Sequence, residues 1–138
     1  MFPKARVLIA EDEPLTALDI AATVRETGGE VLGPAASLDE ALDLLGNSRI
    51  DGAILDCNLR DGEITQIAEA LLDRDVPVVL HTGSEMPPKL QGHSKVPPLF
   101  HKPIDSLVLA RRLAQCILEE QNRRSAVMFP SPRSGDPW

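Results

Sequence analysis

Four apolar runs in this sequence end on groups that can do chemistry. Glu11 and Asp12 follow Val7 to Ala10, and Asp56 follows Ala53 to Leu55. Thr82 closes "VPVVLHT", and Lys102 closes "LFHK". Each run is bounded by turn residues and reads as a buried strand, so each group sits where a strand stops. Neighbouring strands lie about 4.8 Å apart, which would put Glu11, Asp12 and Asp56 in one crevice. Like charges that close resist ionising together, so the crevice calls for protons or a cation. Oxygen donors without a Cys/His cluster suit Mg²⁺ and not zinc. Lys102 adds a cation and Thr82 a hydroxyl, a clamp suited to phosphoryl oxygens. An Asp side chain can take a phosphoryl group as an acyl phosphate, and Asp56 is the expected acceptor.

Each piece also has a plainer reading. Glu11 and Asp12 would suit the N-terminal dipole of a following helix. Asp56 before Asn58, and Thr82 before Gly83, would suit turns. His81 and His101 read as packing or surface residues, and His93 as part of a polar loop. The joint occurrence decides for the chemical reading, because acids, Asp, Thr and Lys each end a different strand in the order that one sheet would require.

The elements that would position them alternate. Pro14 opens a helix with Leu15, Leu18, Ala22 and Val24 as its apolar stripe, stopped by Gly28 and Gly29. "EVLGPAA" is a second strand, and Ser37 with Glu40 forms a capping box for the next helix. A loop follows Asp56, then a helix with Ile67, Ala70 and Leu71 on one face. The stretch 83–98 holds Pro87, Pro88, Pro97 and Pro98, so a turn or two of helix at most is expected there. Asp105 is the expected N-cap of a last helix ending near Arg124, and 123–138 reads as a disordered tail beyond a domain of residues 1–122. Five strands alternating with helices predict a parallel sheet covered on both faces, in order 2-1-3-4-5, a flavodoxin-like (βα)5 sandwich whose crevice lies at the strands' C-terminal ends.

The 138-residue chain is long enough for one cored domain. A formal charge of −7 with 3% aromatics and no Tyr argues against nucleic acid as a partner. Cys57 and Cys116 make neither a disulfide framework nor a zinc site. No stretch is apolar enough to span a membrane, and a cytoplasmic location is expected.

The motifs resemble the receiver domain of bacterial two-component response regulators over about residues 4 to 120. "VLIAEDE" resembles the acidic-pair motif, which implies Asp12 as a direct Mg²⁺ ligand and Glu11 as one through water. "ILDCNLRDG" resembles the phosphoacceptor motif, which implies phosphorylation of Asp56 and a metal-ligating carbonyl at Asn58. "VVLHTG" implies Thr82 as the switch hydroxyl, and "HKP" implies Lys102 with a cis bond to Pro103. Asn58 and Ser84 match positions that tune hydrolysis of the acyl phosphate. The implied partners are a sensor histidine kinase or phosphotransfer protein and a downstream protein, with a homodimer as a further option. The resemblance implies self-catalysed phosphotransfer and dephosphorylation only, with signalling by protein contact or by drawing off phosphoryl groups.

Two positions depart from the family. The switch position that is usually Tyr or Phe is Leu99, and the segment of the fourth helix is rich in proline. A degenerate receiver acting as a phosphorylation-independent binding module is the alternative. A phosphohydrolase is disfavoured, because its nucleophile would sit in an Asp-x-Asp after the first strand.

Overall fold

A computed structural model describes residues 1–128. The elements run β1 (Arg6–Ala10), α1 (Pro14–Glu26), β2 (Glu30–Ala35), α2 (Leu38–Asn47) and β3 (Gly52–Asp56). A hairpin of β4 (Asn58–Leu59) and β5 (Gly62–Glu63) follows, then α3 (Thr65–Asp73), β6 (Val78–Thr82), α4 (Pro88–Gln91), β7 (Leu99–His101) and α5 (Ser106–Met128). The main sheet is parallel in the order β2-β1-β3-β6-β7. Counted along its own strands this is the expected 2-1-3-4-5 arrangement of a flavodoxin-like fold, with the order reversing between β1 and β3.

Strand alternation divides the core in two. Leu8, Ala10, Leu55 and Leu80 face α2, α3 and α4, where they meet Leu45, Ile67, Leu71 and Leu90. Val7, Ile9, Ile54 and Val79 face α1 and α5, where they meet Ile20, Val24, Leu109 and Leu113. β1 and β3 are covered on both faces, which explains their nearly unbroken apolar sequence.

α1 corrects the expected stripe. Its buried residues are Ala17, Ile20, Ala21 and Val24, while Leu15 and Leu18 are 75% and 62% exposed. Both rows fit a helical period, but only the observed one buries the β-branched pair, and alanines at 17 and 21 let the helix lie close to the sheet. Glu13 caps α1, accepting from Thr16 N at 2.6 Å. Beyond Thr27 the chain turns through Gly28 at φ +98°, a conformation that favours glycine.

Ser37 Oγ accepts from Glu40 N at 3.2 Å, as expected, while Glu40 reaches back to Ala36 N at 2.9 Å, one residue before the cap. α4 is a four-residue helix, the short piece that the prolines allow. Asp105 caps the start of α5, its carboxylate accepting from Leu107 N at 2.8 Å. α5 continues to Met128, so a domain edge at residue 122 falls within a helix and 123–128 are helical. The tail reading for 129–138 lies outside the described residues. Arg123 and Arg124 pair with Glu120 on the same helix, which favours continuation past the expected stop.

Candidate functional site

The sheet's C-terminal edge gathers the groups singled out from the sequence. Backbone ladders run one residue past the strands and fix their exits: Glu11 N donates to Ala35 O at 2.9 Å, Cys57 N to His81 O at 3.0 Å, and Lys102 N to Thr82 O at 2.8 Å. Glu11 and Asp56 are buried and Asp12 is partly exposed. Asp56 ends its strand at 4% exposure, with Lys102 Nζ and the Asn58 N–H against its carboxylate. The carboxylates of Glu11, Asp12 and Asp56 each present an oxygen within 4.8 Å of the others. This all-oxygen donor set fits a hard divalent cation.

Lys102 reaches into the same place from the end of β7. Its Nζ donates to Asp56 Oδ2 at 2.7 Å and to Glu11 Oε1 at 2.9 Å. The Lys102–Pro103 bond is cis, as the motif implies. Burial pushes the Glu11 carboxyl up to about 7, reinforced by Asp56 and opposed by Lys102. Burial acts the same way on Asp56, but hydrogen bonds from Glu11, Lys102 and the Asn58 N–H outweigh it and hold that carboxyl below its ordinary value. Burial would lower Lys102, yet its bonds to Asp56 and Glu11 prevail and keep the ammonium charged. Asp56 is thus the ionised carboxylate of the pair, the state a nucleophile needs.

A second group is linked to the first through Asn58. Thr82 Oγ1 lies 3.2 Å from Ser84 Oγ and accepts from Ser84 N at 3.1 Å. Asn58 Nδ2 donates to Ser84 Oγ at 3.2 Å, and Asn58 N donates to Asp56 Oδ1 at 3.1 Å. Asn58 therefore ties the Thr82 side of the edge to the carboxylate. Leu99 stands apart. It is half-buried beside Leu80, against the core on the face that α2, α3 and α4 cover, while Phe100, pairing with His81, packs on the α1–α5 face.

His81 takes the packing reading, in a setting more extreme than that reading specifies. It is wholly buried next to Asp56 in the sheet, and neither ring nitrogen has a hydrogen-bond partner among the described residues. Burial pushes its imidazole down to about 4, so it is neutral near pH 7. The signal was present: a histidine inside "VVLHT", a run otherwise apolar to its last residue. His101 is exposed, and His93 bonds to Asp73 at 3.1 Å on the far side of the molecule. Cys57 packs in the core with its thiol pushed up to about 11 by burial.

No protein-family model matches the chain. The phyllosphere-induced regulator PhyR of Methylorubrum extorquens is 31% identical over 123 residues, covering 86% of this chain and 45% of that protein. The crystal structure of the response regulator PhyR from Brucella abortus matches with a TM-score of 0.73 at 32% identity, over 90% of this chain and 52% of that one. A response regulator receiver protein from Sinorhizobium medicae matches with a TM-score of 0.73 over 87% of this chain and 99% of that one, and at 22% identity it speaks to the fold alone. The chain spans less than half the length of the curated relatives it matches. No helix among the described residues is long and apolar enough to cross a membrane. With the strand order and edge described above, these likenesses carry the conclusion that the chain belongs to the receiver domains of response regulators.

Proposed function

We propose that the chain is a phosphoryl-accepting signalling receiver with Asp56 as its acceptor. The observation that carries this reading is the meeting of Lys102 Nζ with Asp56 Oδ2 at 2.7 Å and Glu11 Oε1 at 2.9 Å, with Asp12 beside them. A carboxylate oxygen of Asp56 attacks the phosphorus of a phosphohistidine on a sensor histidine kinase or phosphotransfer protein. The phosphorus–nitrogen bond breaks, and the leaving imidazole keeps the electron pair and takes up a proton. Mg²⁺ would be held by Asp12, Asp56 and the Asn58 carbonyl, with Glu11 acting through water, and it supplies charge neutralisation of the phosphoryl oxygens. Lys102 and the Thr82 hydroxyl take the remaining oxygens.

Asn58 and Ser84 flank the path of a water that would hydrolyse the acyl phosphate, and so tune its lifetime. Output passes to a downstream protein by contact, or the chain acts as a phosphate sink in the cytoplasm. Intact-mass measurement after incubation with acetyl phosphate tests the assignment. One phosphoryl group should be gained by the wild type with Mg²⁺, and none without Mg²⁺ or in Asp56→Asn. Equal labelling of Asp56→Asn overturns the choice of acceptor. No gain from acetyl phosphate or from a phosphohistidine donor would leave a phosphorylation-independent binding module.

A further inference from the structure

The opposite end of the sheet carries a feature that phosphoryl chemistry does not use. β6 alternates its backbone groups between its two neighbours. Pro77 O accepts from Ala53 N and His81 O from Cys57 N on the β3 side, while Leu80 N donates to Pro98 O and Thr82 O accepts from Lys102 N on the β7 side. Val78 shares the parity of Leu80 and Thr82, so its N–H and C=O also turn toward β7. That strand begins only at Leu99, and the residue placed to donate to the Val78 carbonyl is Pro98, which has no N–H. The Val78 N–H has no acceptor among the described residues either. Val78 is 2% exposed, and buried peptide groups are almost always paired.

Val78 lines a groove of about 350 Å³ between α5, the turn before β6 and the connection from α4 to β7. Leu72, Val76, Val96, Pro97 and the half-buried Cys116 give it apolar walls, and Val96 is 54% exposed. On the rim Asp75 is matched by Lys95 and Arg123, and Glu120 by Arg123 and Arg124. Glu119, exposed on the same rim, has no ion-pair partner among the described residues. A backbone donor and acceptor in strand geometry, apolar walls and an uncompensated carboxylate thus meet in one place. A single residue of an antiparallel strand offers both bonds that Val78 lacks. We infer that the groove takes an extended segment of a partner protein, one residue of which exchanges both backbone bonds with Val78 while an apolar side chain seats against Val96 and Cys116 and a basic residue meets Glu119. The groove opens at the N-terminal ends of the strands, so occupancy leaves Asp56 accessible, and the inference stands or falls independently of phosphorylation.

Titration of the isotope-labelled full chain with a blocked lysine–valine–valine–valine–lysine peptide tests it by nuclear magnetic resonance. The Val78 amide resonance should move saturably, and the peptide should slow reaction of Cys116 with Ellman's reagent several-fold while buried Cys57 stays silent. The same peptide N-methylated at each valine keeps the apolar bulk and the charge but has lost the backbone donors, and it should bind several-fold more weakly. Equal binding of the methylated peptide overturns the main-chain pairing, and no response at millimolar peptide overturns the whole inference. Glu119→Lys, on an exposed helical position, should weaken the unmethylated peptide several-fold, and an unchanged affinity overturns the place given to the basic residue. A scalar coupling across a hydrogen bond from the Val78 amide in the free protein also overturns the inference. The groove would then hold a second copy if the coupling fades on dilution, and a part of the same chain if it does not.

Discussion

The two halves of the sheet's C-terminal edge are built on different terms. On one side Glu11, Asp12, Asp56 and Lys102 are buried or half-buried, and Lys102 joins Asp56 and Glu11 by charge-assisted bonds of 2.7 and 2.9 Å. On the other, Thr82 is held by neutral bonds of 3.1 and 3.2 Å to Ser84, α4 is a four-residue helix, and Leu99 stands where the family usually has an aromatic ring. The first half has a strict electrostatic specification, because each carboxylate there needs a cation or a proton. The second half needs only hydroxyls and packing, and its sequence has room to change. The acceptor chemistry proposed for Asp56 depends on the first half alone, so the second half can vary without disturbing it.

The strongest way to break this comparison is to remove charge from the specified half. Glu11 is raised to about 7, so the folded protein holds that proton more tightly than the unfolded chain does. Its contribution to stability is full below about pH 4.5 and is lost as pH rises to about 7. Asp56 has the opposite sign, and its contribution is lost on acidification below its ordinary value of 3.8, outside that window. In EDTA, Glu11→Gln should flatten the fall in stability between pH 5 and 8 by on the order of 2 kcal/mol, read from urea midpoints. A variant that keeps the wild-type slope would show that the carboxylates are not under electrostatic constraint.

Much of this was legible in the sequence because strand ends are marked by abrupt changes of residue type. "VLIAED", "AILD", "VVLHT" and "LFHK" each announce both a buried strand and the group at its exit, and parallel order then brings the exits together. Phase was harder to read. Leu15 and Leu18 look like a core stripe, yet the helix turns them to solvent because Ile20, Val24 and two alanines fit the sheet better. Burial of Asp56 goes with groups distant in sequence, Lys102 above all, and leaves no local periodic signal; nor does the β4–β5 hairpin, whose strands have two residues each. The continuation of α5 to Met128 rests on local ion pairs that composition alone does not weigh.

His81 sharpens the comparison from between the two halves. Its ring is buried without partners among the described residues, a situation that costs about 1–3 kcal/mol for a polar group. His81→Leu keeps the volume roughly constant and removes the orphaned nitrogens, and it should stabilise the protein by about 1 kcal/mol at pH 7. The advantage should grow on acidification. The folded imidazole titrates near 4 against 6.5 when unfolded, so the wild type loses stability as pH falls from 6.5 toward 4 and the leucine variant does not. A loss of stability at pH 7 instead would mean that His81 contributes a favourable interaction with Asp56 or Lys102, and would move it into the specified half.

The smallest effect is expected on the relaxed side. Leu99 pairs beside Leu80, two residues short of Thr82, and packs against the core on the face of α2, α3 and α4 while remaining half-buried. In Leu99→Tyr the added ring atoms can follow the existing exposure outward instead of forcing the core apart, so the cost in stability should stay within about 1 kcal/mol. Phosphoryl labelling should match the wild type in rate and extent, because no atom of Leu99 contributes to the bonds among Glu11, Asp56 and Lys102. Labelling lost in a folded Leu99→Tyr protein would mean that β7 transmits packing at Leu99 to Lys102, three residues along the same strand and its exit. The two halves would then be one mechanical unit, and the leucine would be a part of the acceptor chemistry that its hydrogen bonds do not reveal.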